Sequence, residues 1–213
     1  MNRETLKKLL LSLNENDYTK NADLHIHSNE SDGKMSPLEI VEQAKNKNKK
    51  YIAIADHNNI DAYLSTNILA EDFVIPAVEF DCFHKGIIIH ILGYGIDIDN
   101  IELKTLFTKS SLGKRNNLYR LFHLRNPKDV ISKIKQAGGI AVLAHPACYW
   151  CFDIDFFIKS LVDIGIEGIE AYYPYNGFRG ILKFHKKDTI KQTADKYGLI
   201  KTGGSDSHGR KLL

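Results

Sequence analysis

Short apolar runs that contain, or finish at, an ionisable residue recur along this chain, and that repetition limits its fold more than any other feature. Residues 22–28 (ADLHIHS) alternate as a half-buried strand does, which places His25 and His27 on one face. Residues 51–55 (YIAIA) form a continuous apolar run of the kind buried on both faces of a sheet, ending at Asp56-His57. The pattern returns at 73–80 with Glu79, 87–92 with His90, 139–144 ahead of His145, 166–171 with Glu170, and 199–202 ahead of Asp206-Ser207-His208.

Helical patterns separate these runs. Ser36-Pro37-Leu38-Glu39 supplies an N-cap, a proline at the first helical position and a glutamate at the third, predicting a helix to about Asn48. Residues 127–137 and 187–197 read as helices ending at glycines. Strands alternating with helices argue for an α/β fold with a mostly parallel sheet. Six or seven strand ends contributing to one site argue for closure into a barrel, with chemistry at the carboxyl ends. A single domain over 1–213 follows, opening with a helix over about 1–20. Residues 97–126, rich in Lys and Arg, read equally as a short helical lid or a solvated crossover.

A formal charge of +3 does not establish nucleic-acid binding, though it would not repel a phosphorylated substrate. The basic run 45–50 reads as a solvated helix end. Cys82, Cys148 and Cys151 are odd in number and include one lone C-x-x-C, which argues against a zinc knuckle or a disulfide framework. No run reaches the roughly 20 apolar residues of a membrane span. The expectation is a cytoplasmic protein without an obligate protein partner.

His25-x-His27 can direct two imidazoles at one ion, and Asp32 adds a carboxylate in the following turn. Asp56 suits an acceptor for a neighbouring imidazole, and His57 a metal ligand. A charged Glu79 in an apolar segment must be paired or bound to metal, whereas His90 taken alone also suits a core histidine. His145, Asp206 and His208 repeat the strand-end pattern. Nitrogen and oxygen donors without a thiolate suit manganese, zinc, iron or magnesium, and nine candidate ligands exceed the needs of one ion.

These segments, DLHIHSNESDG, ADHN, VEF, HILGYGID, AHP and GSDSHG, resemble the PHP (polymerase and histidinol phosphatase) family in order and over almost the whole chain. The resemblance implies a distorted (β/α)₇ barrel and two or three divalent ions, manganese foremost. It places His25, His27, Glu79 and Asp206 on one ion and Asp32, His57 and His208 on a second. Glu79 bridges to a third ion completed by His90 and His145. Glu79, Asp206 and His208 are the implied catalytic set. The implied reaction is hydrolysis of a phosphate mono- or diester of a nucleotide or short oligonucleotide by a metal-bridging hydroxide. The alternative is a noncatalytic PHP module that binds nucleic acid or supports a partner.

Arg179, Lys114 and Arg115 are candidate phosphate partners, with a solvent-facing loop as the competing reading for Arg179. Tyr172, Tyr173 and Tyr175 suit either base stacking or packing at the rim. A segment between His90 and His145 shorter than in many relatives implies a reduced lid. The five residues after His208 are fewer than usually follow in the family, implying either a truncated product or a loosely closed barrel.

Overall fold

The computed structural model describes residues 1–109, 114, 116–175, 181 and 183–212. The expected amino-terminal helix is two helices, α1 (Arg3–Ser12) and α2 (Glu15–Lys20). Leu13 takes an extended conformation between them, and Asn14 starts the second helix with a capping box closed by Asp17. Next come β1 (Ala22–Ile26), α3 (Pro37–Asn46), β2 (Tyr51–Ile54), α4 (Asp61–Leu64), β3 (Ala77–His84) and β4 (Ile87–Tyr94). The remainder is α5 (Ile101–Lys104), α6 (Asn117–Leu121), α7 (Pro127–Gln136), β5 (Ile140–Leu143), α8 (Ile154–Val162), β6 (Gly168–Glu170), α9 (Lys187–Lys196) and β7 (Ile200–Thr202). Ser36 and Glu39 cap α3 reciprocally, as expected. Sequence reasoning overlooked α8, although Asp153 caps it and Ile154, Phe157, Ile158 and Leu161 follow a helical period into the core.

β1 and β2 pair in parallel as a two-stranded sheet, and β3 to β7 form a second sheet in chain order. β5, β6 and β7 run parallel, but β4 is antiparallel to both neighbours, against the expectation of a mostly parallel sheet. The cause is the two-residue link Lys85-Gly86, whose φ angles of 49° and 83° make a tight hairpin where a parallel crossover needs a dozen or more residues. Isolated bridges join His57 to Glu79 and Ile26 to Ser207, linking the two sheets on both sides. Among the described residues no continuous ladder closes the ring, so the (β/α)₇ barrel expected is found as two bridged sheets.

Alternation along β3 divides the core. Val78, Phe80 and Cys82 pack outward with α3, α7 and α8, while Ala77, on the Glu79 face, packs with Leu24, Leu92, Tyr94 and Val142. α1 seals this inner cluster with Leu6 and Leu10, and Leu6 lies so close to Gly95 that an added Cβ would fall 2.2 Å from it. Among the described residues no helix is long and apolar enough to cross a membrane.

Candidate metal centre

Five imidazoles converge on one buried carboxylate. Glu79 Oε2 lies 3.3 Å from His25 Nε2, 3.2 Å from His27 Nε2 and 3.3 Å from His57 Nε2. Its Oε1 lies 2.9 Å from His90 Nδ1 and 3.3 Å from His145 Nε2. Asp206 Oδ1 stands 3.2 Å from His27 Nε2, and Asp32 Oδ1 stands 3.2 Å from His208 Nε2. All nine expected ligands are thus brought together.

Within this cluster, three overlapping groups each present ligand atoms within 4.8 Å of one another: His25, His27, Glu79 and Asp206; His27, Asp32, His57 and His208; and His57, Glu79 and His90. The second group adds His27 to the expected set. The third holds His57 where His145 was expected, with His145 reaching the same Glu79 from the other side.

β4 explains how His90 joins. Because that strand is reversed, the register sets His90 opposite Asp81 and brings its first half to the rim formed by the ends of the parallel strands. Backbone geometry is unusual here as well. His145 has φ 27° and ψ 53°, and Asp206 has φ 50°, conformations that L-residues seldom adopt and that surrounding structure must impose.

A ring of outer groups fixes the imidazoles. Glu170 Oε1 lies 3.1 Å from His25 Nδ1, and Oε2 accepts from the His145 backbone N–H at 2.8 Å. Asp81 Oδ1 lies 3.0 Å from His57 Nδ1 and 3.3 Å from His90 Nε2. Such partners orient a ring and set which nitrogen faces the centre. The Tyr173 hydroxyl donates to Asp206 at 2.9 Å. With Tyr175, whose oxygen accepts from Ala147 N–H, it is buried, so these two tyrosines serve the rim rather than an open stacking surface.

Two further aspartates anchor the ligand-bearing loops. Asp56 accepts from Ser28 N–H at 2.7 Å and from the Ser28 and Ser31 hydroxyls at 2.6 Å each; it holds the loop leading to Asp32 instead of accepting from an imidazole as expected. Asp23 accepts from Ser205 N–H at 2.8 Å and from its hydroxyl at 2.7 Å, beside Asp206.

Of the candidate phosphate partners, Arg115 and Arg179 fall outside the described residues, and the Lys114 ammonium is paired with Asp61. Among the described residues, the guanidinium of Arg120, in the 97–126 segment, reaches the cluster. Its Nη1 lies 3.2 Å from Asp32 Oδ2 and its Nε 3.3 Å from Asp81 Oδ2.

Burial works against protonation of His25 and His27, but Glu79 and Asp206 outweigh it and raise both, His27 to about 10. Burial likewise opposes ionisation of Glu79 and Asp206, yet the surrounding imidazoles hold both well below the carboxylate range. In the ion-free state the His27 pairing stabilises the fold fully below its unfolded value near 6.5 and is lost as pH rises through about 10. The carboxylate pairings are present above about pH 4 and lost on acidification. A divalent ion has to displace the His27 proton, so uptake of the first ion near pH 8 is expected to release about one proton or more. Calorimetric titration in two buffers of different ionisation enthalpy measures this; identical heats in both would contradict it.

The donors fit a divalent cation. Glu79 Oε2 and His27 Nδ1 are buried without a hydrogen-bond partner, which a cation would remedy. The set offers imidazole nitrogen and carboxylate oxygen with no thiolate, donors that suit borderline and hard divalent ions.

An α/β scaffold with histidines and carboxylates from nearly every strand end defines a protein built around divalent-ion chemistry. The chain belongs to the PHP family: residues 23–202 match the PHP domain. It is 24% identical to the phosphoribosyl 1,2-cyclic phosphate 1,2-diphosphodiesterase of Eggerthella lenta, over 88% of this chain and 94% of that one. It is 23% identical to the 3′,5′-nucleoside bisphosphate phosphatase of Chromobacterium violaceum, over 88% and 87%. Among solved structures, an amidohydrolase from Chromobacterium violaceum with bound sulfate and no metal shares the fold, with a TM-score of 0.71 at 21% identity over 89% of this chain and 88% of that one.

Proposed function

We propose that this PHP-type metal-dependent phosphoesterase hydrolyses a phosphate mono- or diester of a nucleotide or short oligonucleotide. The observation that carries the reading is the convergence of five imidazoles on Glu79. Both full-length relatives described above are named for phosphate-ester hydrolysis. The bridged sheets read as a distorted (β/α)₇ barrel forming a single domain. The free cysteines suit a cytoplasmic protein.

His25, His27, Glu79 and Asp206 would hold one ion, and Asp32, His57 and His208, with His27, a second. Glu79 with His90 and His145 would hold a third. Manganese suits the set, as do zinc, iron and magnesium. Bound divalent ions would supply charge neutralisation of phosphate oxygens and activation of the attacking water.

The protein's own groups then do the positioning. His25 is fully buried while the His208 side chain is 35% exposed, that of His90 17% and that of Asp32 16%, so the substrate enters across the face that His208, Asp32 and His90 open. Arg120 borders that entrance, and its Nη2 has no partner among the described residues, leaving a fixed donor for a phosphate oxygen. His208 Nδ1 lies 2.9 Å from the Asp206 carbonyl; a proton on Nδ1 would direct the Nε2 lone pair at the centre. Asp81 and Glu170 keep His57, His90 and His25 oriented.

The test is phosphate release by manganese-loaded protein from mononucleotides, nucleoside bisphosphates and 5′-phosphorylated oligonucleotides, with a chelated control. Chelator-sensitive release is expected, and none from any of these substrates by ion-loaded protein would overturn the reading. Arg120→Ala should lower kcat/KM by about 10- to 100-fold, mostly through KM, the worth of one or two charge-assisted hydrogen bonds. Unchanged kinetics in that variant would remove Arg120 from the site.

A further inference from the structure

The chain's single tryptophan is in an unusual place. Trp150 is 69% exposed, with its ring 4.4 Å from that of Phe184 at 65°, and with Phe152 fully exposed beside it. Trp150, Cys151, Phe152 and Phe184 line an open cleft of about 290 Å³. Large aromatic rings left in water together mark a binding surface.

Two tethers tie this cleft to the histidine cluster. Tyr149, the residue before Trp150, donates its hydroxyl to Ala144 O at 2.7 Å, accepts from His90 N–H at 3.1 Å, and sets its ring 5.9 Å from His145. Phe184 and His185 both donate backbone N–H groups to Ala147 O, at 2.7 and 3.1 Å, in the turn directly after His145. The cleft is therefore held to the backbone that carries His90 and His145. Lys183, Lys186 and Lys187 flank Phe184 in sequence, against Asp188 in the same stretch and Asp153 beside Cys151, and the net positive charge favours a polyanion over an apolar partner.

We propose that Trp150 and Phe184 form a nucleobase-stacking site for a single-stranded oligonucleotide whose phosphate ester lies in the histidine cluster. This rests on the phosphoesterase reading and adds to it the site that holds a base away from the scissile ester. Flat rings accept any base, so the site confers length preference without sequence preference.

Tryptophan emission reports the site directly, since no other indole contributes. Full-length protein is titrated with a phosphorothioate-linked hexauridylate and, separately, with uridine monophosphate. The expected result is saturable quenching by the hexamer at a Kd at least about tenfold below that of the mononucleotide, the worth of one stacked base. Trp150→Ala and Phe184→Ala, followed by polarisation of a labelled hexamer, should each weaken binding about tenfold while phosphate release from a mononucleotide stays within about twofold. Equal affinities for the two ligands, or unchanged hexamer binding in both variants, overturns the stacking site. So does an aromatic cleft occupied by a second copy of the chain, seen as a wild-type dimer that Trp150→Ala dissociates. Failure of mononucleotide hydrolysis in the wild type marks instead a failure of the phosphoesterase reading.

Discussion

Glu79→Ala is expected to lower turnover by about 10³-fold or more, a loss of roughly 4 kcal/mol of transition-state stabilisation, and to reduce bound divalent ion in the same preparation. The size follows from position. One carboxylate lies within 3.3 Å of nitrogens from β1, β4 and the segments after β2 and β5, so its removal disrupts the first and third ligand groups together. Its burial also leaves no water to replace it cheaply. Glu79→Gln, which keeps the shape and loses the charge, should show the same collapse of activity with a native circular dichroism spectrum. Steady-state kinetics and elemental analysis of both variants check this, and full turnover with full metal content would refute the bridging role.

Gly204→Ala should be nearly as damaging although no ligand is touched. A Cβ there would fall 2.4 Å from both the backbone nitrogen and the Cβ of His25, so the loop carrying Asp206 and His208 must move off β1. Displacing catalytic groups by about 1 Å costs on the order of 10²-fold in rate, and that is the expected loss. Gly198→Ala is the control: its φ of 62° makes the substitution cost about 1 kcal/mol, but nothing lies within 4 Å of the added carbon and the site is left alone. Thermal unfolding should therefore rank Gly198→Ala as destabilised but active. A fully active Gly204→Ala protein would show that the loop tolerates the shift.

The candidate ligands legible in the sequence are those that a simple period places. His25 and His27 share a strand face, while His57, His145 and Asp206 end apolar runs whose burial leaves an ionisable side chain little choice but the rim. Asp81 obeys the same period-2 rule relative to Glu79, but it escapes a reading that stops the strand at Phe80. β3 runs on to His84 because it is half of a hairpin, and the Lys85-Gly86 turn lacks the asparagine or aspartate before glycine that usually announces one.

The same turn reverses β4, which is why alternating strands and helices suggested more parallel pairing than exists. Arg120 is illegible for a different reason. It sits in a short helix between segments without clear periodicity, and only tertiary packing carries its guanidinium to Asp32 and Asp81. Asp56 was expected to accept from an imidazole, but its partners are the hydroxyls and backbone of a loop 25 to 28 residues earlier, which spacing cannot reveal.

Titration of manganese into chelator-stripped protein, with phosphate release from a nucleoside bisphosphate followed against bound equivalents, tests the central claim most directly. The arrangement around Glu79 predicts negligible release from the stripped protein and a rate that climbs only as two or more equivalents bind. Release that persists without divalent ions, or a fully loaded protein that leaves every nucleotide intact, would contradict it.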